Sequence, residues 1–264
     1  ATAAVSRWSL ASPVQRRELT LLVRDRNFLV QTMVLPLLVV GLQWVLNGRF
    51  DSFAQVWQDP QTVAAGAFGV AVYALMLSAF QTLTAEGGAL WILYSLPRSI
   101  ESVLLDKARL WGALALAYPL VGFTLLGVFG PPLDASAFGL IAMVALGVPI
   151  YAAIAVALGV FACDPLATDP RQRVKPTYVY LFMLLSGLYV YALYAPSWWQ
   201  ALVFVVLAAL LAQALWQKAR DQLPFLLDPV AGPPPRVSTA DGLIAAMLFF
   251  VLQVFIGGLL QWRG

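Results

Sequence analysis

Seven long apolar runs dominate this chain: residues 28–46, 63–83, 110–129, 138–161, 177–194, 198–216 and 242–260. A helix needs about 20 mostly apolar residues to cross the hydrocarbon core of a bilayer, and each run is close to that length. A transmembrane barrel would instead show strands of about ten residues with alternating polarity, and no stretch alternates that way over such lengths. The chain is 61% hydrophobic and 11% charged, with a mean hydropathy of +0.81, far from an average soluble domain. The fold class that follows is all-α: a polytopic transmembrane helical bundle with a six-helix core plus a seventh transmembrane helix. The segments divide into an interfacial lead (1–27), the six-helix unit (28–221), a Pro-rich linker (222–240) and the seventh helix (241–264).

Basic residues set the expected orientation, because short cytoplasmic loops carry an excess of Lys and Arg. Arg7, Arg16, Arg17, Arg24 and Arg26 precede the first run. Arg98, Lys107 and Arg109 lie between the second and third; Arg171, Arg173 and Lys175 lie between the fourth and fifth; Lys218, Arg220 and Arg236 follow the sixth. Arg49 and Arg263 alone fall on the opposite side. The amino terminus is therefore expected in the cytoplasm. Trp44, Trp111, Trp198, Trp199, Trp216 and Trp262 sit near run ends, where indoles prefer the headgroup layer. Pro36, Pro119 and Pro149 fall inside runs and predict kinks. Cys163 ends the fourth run and reads as an inert boundary residue. The basic lead lacks the small-residue cleavage pattern of a secretory signal. The chain opens at Ala1 and stops at Gly264 directly after an apolar run, so it reads as a piece of something longer.

The runs are poor in chemistry. Acidic residues fall in loops or at helix ends, and no Lys or Arg is near the middle of a run. Ionisable groups at depth mark proton relays and ion paths, so a proton-driven carrier is disfavoured, and no filter-like loop suggests a channel. The chain has no His, which excludes Ser/His/Asp catalysis and HExxH metal ligation. None of the Lys residues follows a Gly, so the GxxxxGK phosphate loop cannot be drawn. No catalytic, cofactor or metal residue is expected, and any ATP-driven work must arrive from elsewhere.

Two polar segments carry patterning. Ser12-Pro13-Val14-Gln15 reads as a helix start, with Ser as N-cap, Pro at the first position and Gln three residues after the cap. In the helix that follows, Arg16, Arg17, Arg24 and Arg26 are candidates to meet anionic headgroups. Leu19, Leu21, Leu22 and Val23 are dispersed around the wheel, so ordinary flanking charge explains them equally. The second segment runs from Glu86 to Lys107. After Leu96-Pro97, the residues Ile100, Val103, Leu104, Ala108 and Trp111 share a helical face, with Asp106 and Arg109 off it and Glu101 at its edge. This part is expected to lie at the membrane interface, either coupling the bundle to a partner or simply linking two spans. Tyr73, Gln81, Tyr118 and Tyr151 are among the few polar groups in the runs, suited to substrate or to helix–helix hydrogen bonds.

The residues Glu86, Gly87, Gly88, Leu90, Leu93, Ser95, Pro97 and Lys107 form an acidic-Gly stretch, a Leu-rich segment, a Ser-x-Pro turn and a Lys. Together with RDRNFLVQTMVLPLL near the amino terminus and RVKPTYVYLFMLLSGLY from Arg173, this order resembles the permease subunits of ABC-2 type transporters over roughly residues 12–216. The resemblance implies a six-helix subunit of an exporter in the bacterial inner (plasma) membrane. Such a subunit pairs with a second copy or a related permease, with the lipid bilayer as its medium and no nucleic acid partner. It docks ABC ATPase subunits, which would hold the ATP and Mg. In the family the loop after the second helix contacts the ATPase, which makes Glu86, Gly87, Gly88, Leu93, Ser95, Pro97, Glu101 and Lys107 the coupling candidates here. Two departures stand out. The large extracellular insertion of some members is missing, and the Gly232-Pro233-Pro234-Pro235 linker leads to a seventh run. Its TADGLIAAMLFFVLQ is similar to the opening helix of a CPBP-type intramembrane protease domain, fused to some such permeases, and suits a plain anchor equally. A non-transporting membrane scaffold is the remaining alternative.

Overall fold

The structure, a computed structural model, describes residues 12–46, 56–87, 90–95, 98–164, 167, 173–195, 197–226 and 242. Gly88 and Pro97 lie outside these residues, as does the seventh run apart from Gly242, and Leu93 is described by its backbone alone. The helices are α1 (Pro13–Arg24), α2 (Arg26–Leu29), α3 (Leu35–Leu46), α4 (Pro60–Leu77), α5 (Leu90–Ser95), α6 (Ile100–Ala115), α7 (Ala117–Phe129), α8 (Ala135–Ala162), α9 (Pro176–Leu193) and α10 (Trp198–Gln222). A π-turn, Val30–Val34, joins α2 to α3. Among the described residues the only strand-like pairing is an isolated antiparallel bridge between Cys163 and Val174. Among the described residues, five helices are long and apolar enough to cross a membrane, or six if the bent pair formed by α1 and Arg26–Leu42 is one span. The protein is thus an all-helical membrane-type bundle.

The α8 helix is the hub, packed against α4, α6, α9 and α10. Its buried face is built on small residues that let neighbours approach closely. A Cβ at Gly147 would lie 2.6 Å from the Tyr189 ring, and one at Gly159 would collide with the Phe80 carbonyl oxygen. Phe68, Tyr151, Tyr189 and Phe182 fill the space between α4, α8 and α9 in edge and tilted contacts. With no water in such a core, each hydroxyl must find a carbonyl. Tyr151 donates to Leu185 O at 2.5 Å and Tyr189 to Met143 O at 2.7 Å.

Two proline sites show how freed carbonyls are recovered. Pro36 offers no N–H to the Thr32 carbonyl four residues back. The chain there winds as a π-turn, and Tyr118 of α7 donates to the Thr32 and Met33 carbonyls at 3.1 Å. Pro119 sits just beyond a one-residue break at Leu116 that separates α6 from α7, as its ring would crowd the Ala115 carbonyl.

Two expectations change. The second run does not stay helical to residue 83: α4 stops at Leu77, and residues 78–86 wind back as turns. Ser78, Thr82 and Thr84 each give their hydroxyl to a backbone carbonyl three or four residues earlier, a local alternative to helix continuation. Phe80 and Leu83 are buried by this winding. The segment 100–111 is not a separate helix, because α6 and α7 together make one candidate span, Ile100–Phe129. Its predicted face is correct, with Val103, Leu104, Ala108 and Trp111 buried, but that face meets protein. Trp111 accordingly is buried in protein, edge-on to Phe28 at 5.8 Å.

Candidate functional site

At one end of the bundle, four charged side chains from three segments form a closed cluster around Lys107. The helix α1 begins as its sequence predicts. Ser12 and Gln15 form a capping box, with Gln15 N donating to Ser12 Oγ and Ser12 N to Gln15 Oε1. Gln15 also extends its amide to the Asp106 carbonyl of α6 at 3.3 Å. The inward face of α1, carrying Val14, Glu18 and Leu22 at four-residue spacing, therefore lies on α6.

Lys107 is 2% exposed. Its ammonium donates to Glu18 and Glu86, both at 2.9 Å, and to the Thr82 carbonyl at 3.3 Å. Three donors meet three acceptors, which is what an ammonium needs when it leaves water. Glu18 and Glu86 are themselves only 12% and 8% exposed. Arg17 closes the cluster by a bidentate pair, Nη1 to Oε1 and Nη2 to Oε2 of Glu86, both at 3.1 Å. Burial opposes ionisation of Glu86, yet Lys107 and Arg17 outweigh it and hold the carboxyl below its ordinary pKa. The hydrogen bond to Glu86 in turn raises Arg17. Two cations and two carboxylates balance, so the cluster is neutral; Lys107, Glu18 and Glu86 are largely buried, and Arg17, 55% exposed, forms its solvent-facing rim.

The loop that presents Glu86 is fixed from both sides. Gly87 has φ +51°, a left-handed conformation that favours glycine, and a Cβ there would strike the Arg173 guanidinium. Arg173 is held by donating from Nε to the Ala167 carbonyl at 3.2 Å. Next comes α5, which has an inner and an outer side. Leu90 is buried and Tyr94 donates to the Leu223 carbonyl at 2.5 Å, while Trp91 is 61% exposed. Burial raises the Tyr94 pKa. Ser95 is exposed on the same outer side as Trp91. Nearby, Arg220 of α10 pairs with Glu101 at 3.0 Å.

Of the sequence-predicted residues, the structure joins Glu86 to Lys107 and sets Gly87 beside them. Glu101 lies at the same end but in its own pair, and Arg16, Arg24 and Arg26 are exposed. Glu18, Trp91, Tyr94 and Arg220 were not singled out from sequence. One signal was available: Lys107 stands four residues after Val103 and three after Leu104, so it shares their face, and a buried Lys demands an acid. Which acid answers could not be read from the chain, because Glu18 is far away in sequence.

A second feature lies within the bundle. A cleft of about 270 Å³ opens between α3, α4 and α9, lined by Val39, Phe68, Val72 and Phe182, with Tyr73 and Ser186 as its polar groups. Among the described residues, no group of His, Cys, Asp and Glu is placed to hold a metal ion. Comparison with known proteins finds no matching family model, no matching curated protein and no matching solved structure.

Proposed function

We propose that this chain is the transmembrane permease subunit of an ATP-driven exporter of the ABC-2 type. It couples to a separate ATPase through the segment that follows α4, with that end of the bundle in the cytoplasm. The observation that carries the reading is the Lys107 cluster. It ties α1, the 78–87 turns and the foot of α6 into one unit, and α5 projects from that unit with Trp91 outward. A push on α5 would therefore pass into the α6–α7 span rather than dissipate in a loose loop. Tyr94, bonded to the end of α10, gives the same push a second route.

In this mechanism the ATPase state favours one of two helix arrangements, and the coupling energy is the difference in its affinity for them. The cleft lined by Phe68, Val72 and Phe182 supplies an uncharged surface at depth, suited to an apolar substrate. Energy comes from ATP and Mg on the partner, and a second copy or a related permease completes the pathway.

The test is co-purification with activity. The tagged chain recovered from its native membrane should carry ATPase activity, and Trp91→Glu should lose it while Trp198→Glu keeps it. Trp198 is the control because it is exposed at the start of α10, the end away from the Arg220–Glu101 pair. Absence of ATPase activity with the wild-type chain, or equal activity with both variants, refutes the assignment and favours a non-transporting scaffold.

A further inference from the structure

The elbow between α1 and α2 has no role in the coupling cluster, yet it combines charge, exposed apolar surface and a right-angle turn. The axis of Pro13–Arg24 meets that of Arg26–Leu42 at 97°. If the second of these enters the bilayer, α1 must run along its surface. On α1, Leu21 and Val23 are 45% and 74% exposed, because the inward face of the helix is already occupied by Val14, Glu18 and Leu22. Leu21 lies on the flank that carries Arg24, and for it the headgroup–acyl boundary is a better environment than water; Val23 lies on the opposite flank.

The charges at the elbow are unspent. Arg24 and Arg26 are exposed, and among the described residues neither has an ion pair. The carboxylate between them, Asp25, is committed to the backbone, accepting from Asn27 N at 3.0 Å and Phe28 N at 3.2 Å. Glu18, the other acid of α1, is on Lys107, and Glu86 is shared by Lys107 and Arg17. Leu21, Arg24, Asp25, Arg26 and Asn27 border an open recess of about 440 Å³.

We propose that this elbow seats the phosphate headgroup of an anionic phospholipid between Arg24 and Arg26, with Leu21 against its glycerol and upper acyl region. Guanidinium groups suit a phosphate because they can donate two parallel N–H bonds to it. The exposed Leu21, which borders the same recess as the two guanidinium groups, selects a lipid over a free anion. Through the same contact the membrane surface holds α1, and α1 holds Glu18 against Lys107. The inference rests on the reading of Arg26–Leu42 as the start of a span.

The experiment uses the full chain. It is first floated with phosphatidylcholine vesicles; failure to incorporate overturns the spanning reading and this proposal with it. Thermal unfolding is then followed while phosphatidylglycerol, phosphatidylcholine or inorganic phosphate is titrated. Phosphatidylglycerol should raise the unfolding temperature, and the other two should not. Arg24→Gln/Arg26→Gln should weaken the apparent phosphatidylglycerol affinity by roughly tenfold or more, and Arg24→Lys/Arg26→Lys should keep much of it. Arg98→Gln/Arg109→Gln removes the same charge from exposed positions elsewhere and should leave affinity unchanged. An equal response to phosphatidylcholine, an equal response to phosphate, or an equal loss in the Arg98/Arg109 variant would each overturn the proposal. None of those three results would touch the spanning reading.

Discussion

Replacing Lys107 with Met is the sharpest perturbation the structure offers. At 2.9 Å and an effective dielectric of about 20, each of its two ion contacts is worth roughly 5–6 kcal/mol before desolvation. Mutual repulsion of the two carboxylates and several kcal/mol of desolvation per ion offset most of that. The net worth of the pair is thus small, but the cost of breaking it is not. With Lys107 gone, Arg17 still neutralises Glu86 through its bidentate pair, so Glu18 becomes the stranded charge. Breaking such a buried arrangement costs about 3–5 kcal/mol, which corresponds to a fall in unfolding temperature on the order of 10 °C. Differential scanning fluorimetry of the purified chain in detergent measures it. Adding Glu18→Gln to Lys107→Met should recover at least ~1 kcal/mol, because it removes the stranded charge. Adding Glu101→Gln should recover nothing, because Glu101 belongs to Arg220. A shift for Lys107→Met no larger than the ~0.5 kcal/mol of an ordinary surface change, or equal rescue by both second substitutions, would refute the argument.

Three further outcomes are expected. Gly159→Ala should destabilise by about 1–3 kcal/mol, since its Cβ would meet a backbone carbonyl of the 78–87 turns that no rotamer change can move; Gly41→Ala, with nothing within 4 Å, should be neutral. Unfolding temperatures of the two variants check this. Tyr118→Phe should cost about 0.5–1.5 kcal/mol by removing the one O–H shared between the Thr32 and Met33 carbonyls; Pro36→Ala, which returns an N–H toward the Thr32 carbonyl, should reduce the loss, and a double-mutant cycle reads the coupling. Because the folded-state pKa of Glu86 is depressed, its contribution is present above the ordinary value of 4.5 and is lost as pH falls from there through the lower folded value. Glu86→Gln should therefore flatten the acid limb of stability against pH below 4.5, measured as unfolding rate.

Local signals were legible in the sequence and held. Ser12, Pro13 and Gln15 specified a helix start because a capping box is a contact between residues three apart. The face of Val103, Leu104, Ala108 and Trp111 followed from helical periodicity, and the long apolar runs fixed a helical membrane architecture because only satisfied backbone can live in hydrocarbon. What those signals could not carry was the identity of the surface opposite each face. That Trp111 is buried against Phe28 was not legible, because this contact depends on where the first helix bends. The second run looked helical to residue 83, and its end at Leu77 was decided by local hydroxyl bonds and by the space that Gly159 leaves for Phe80.

The same division applies to the candidate site. Composition and periodicity determined by themselves that the chain is a bundle of apolar helices, since hydropathy and helical repeat are properties of neighbouring residues. That the chain bends by 97° after α1, so that Glu18 and Arg17 meet Lys107 and Glu86 and a charged connecting segment becomes part of a neutral unit, was decided only in three dimensions. A buried charge announces in sequence that it needs a partner, but the partner is chosen by the packing of helices distant along the chain.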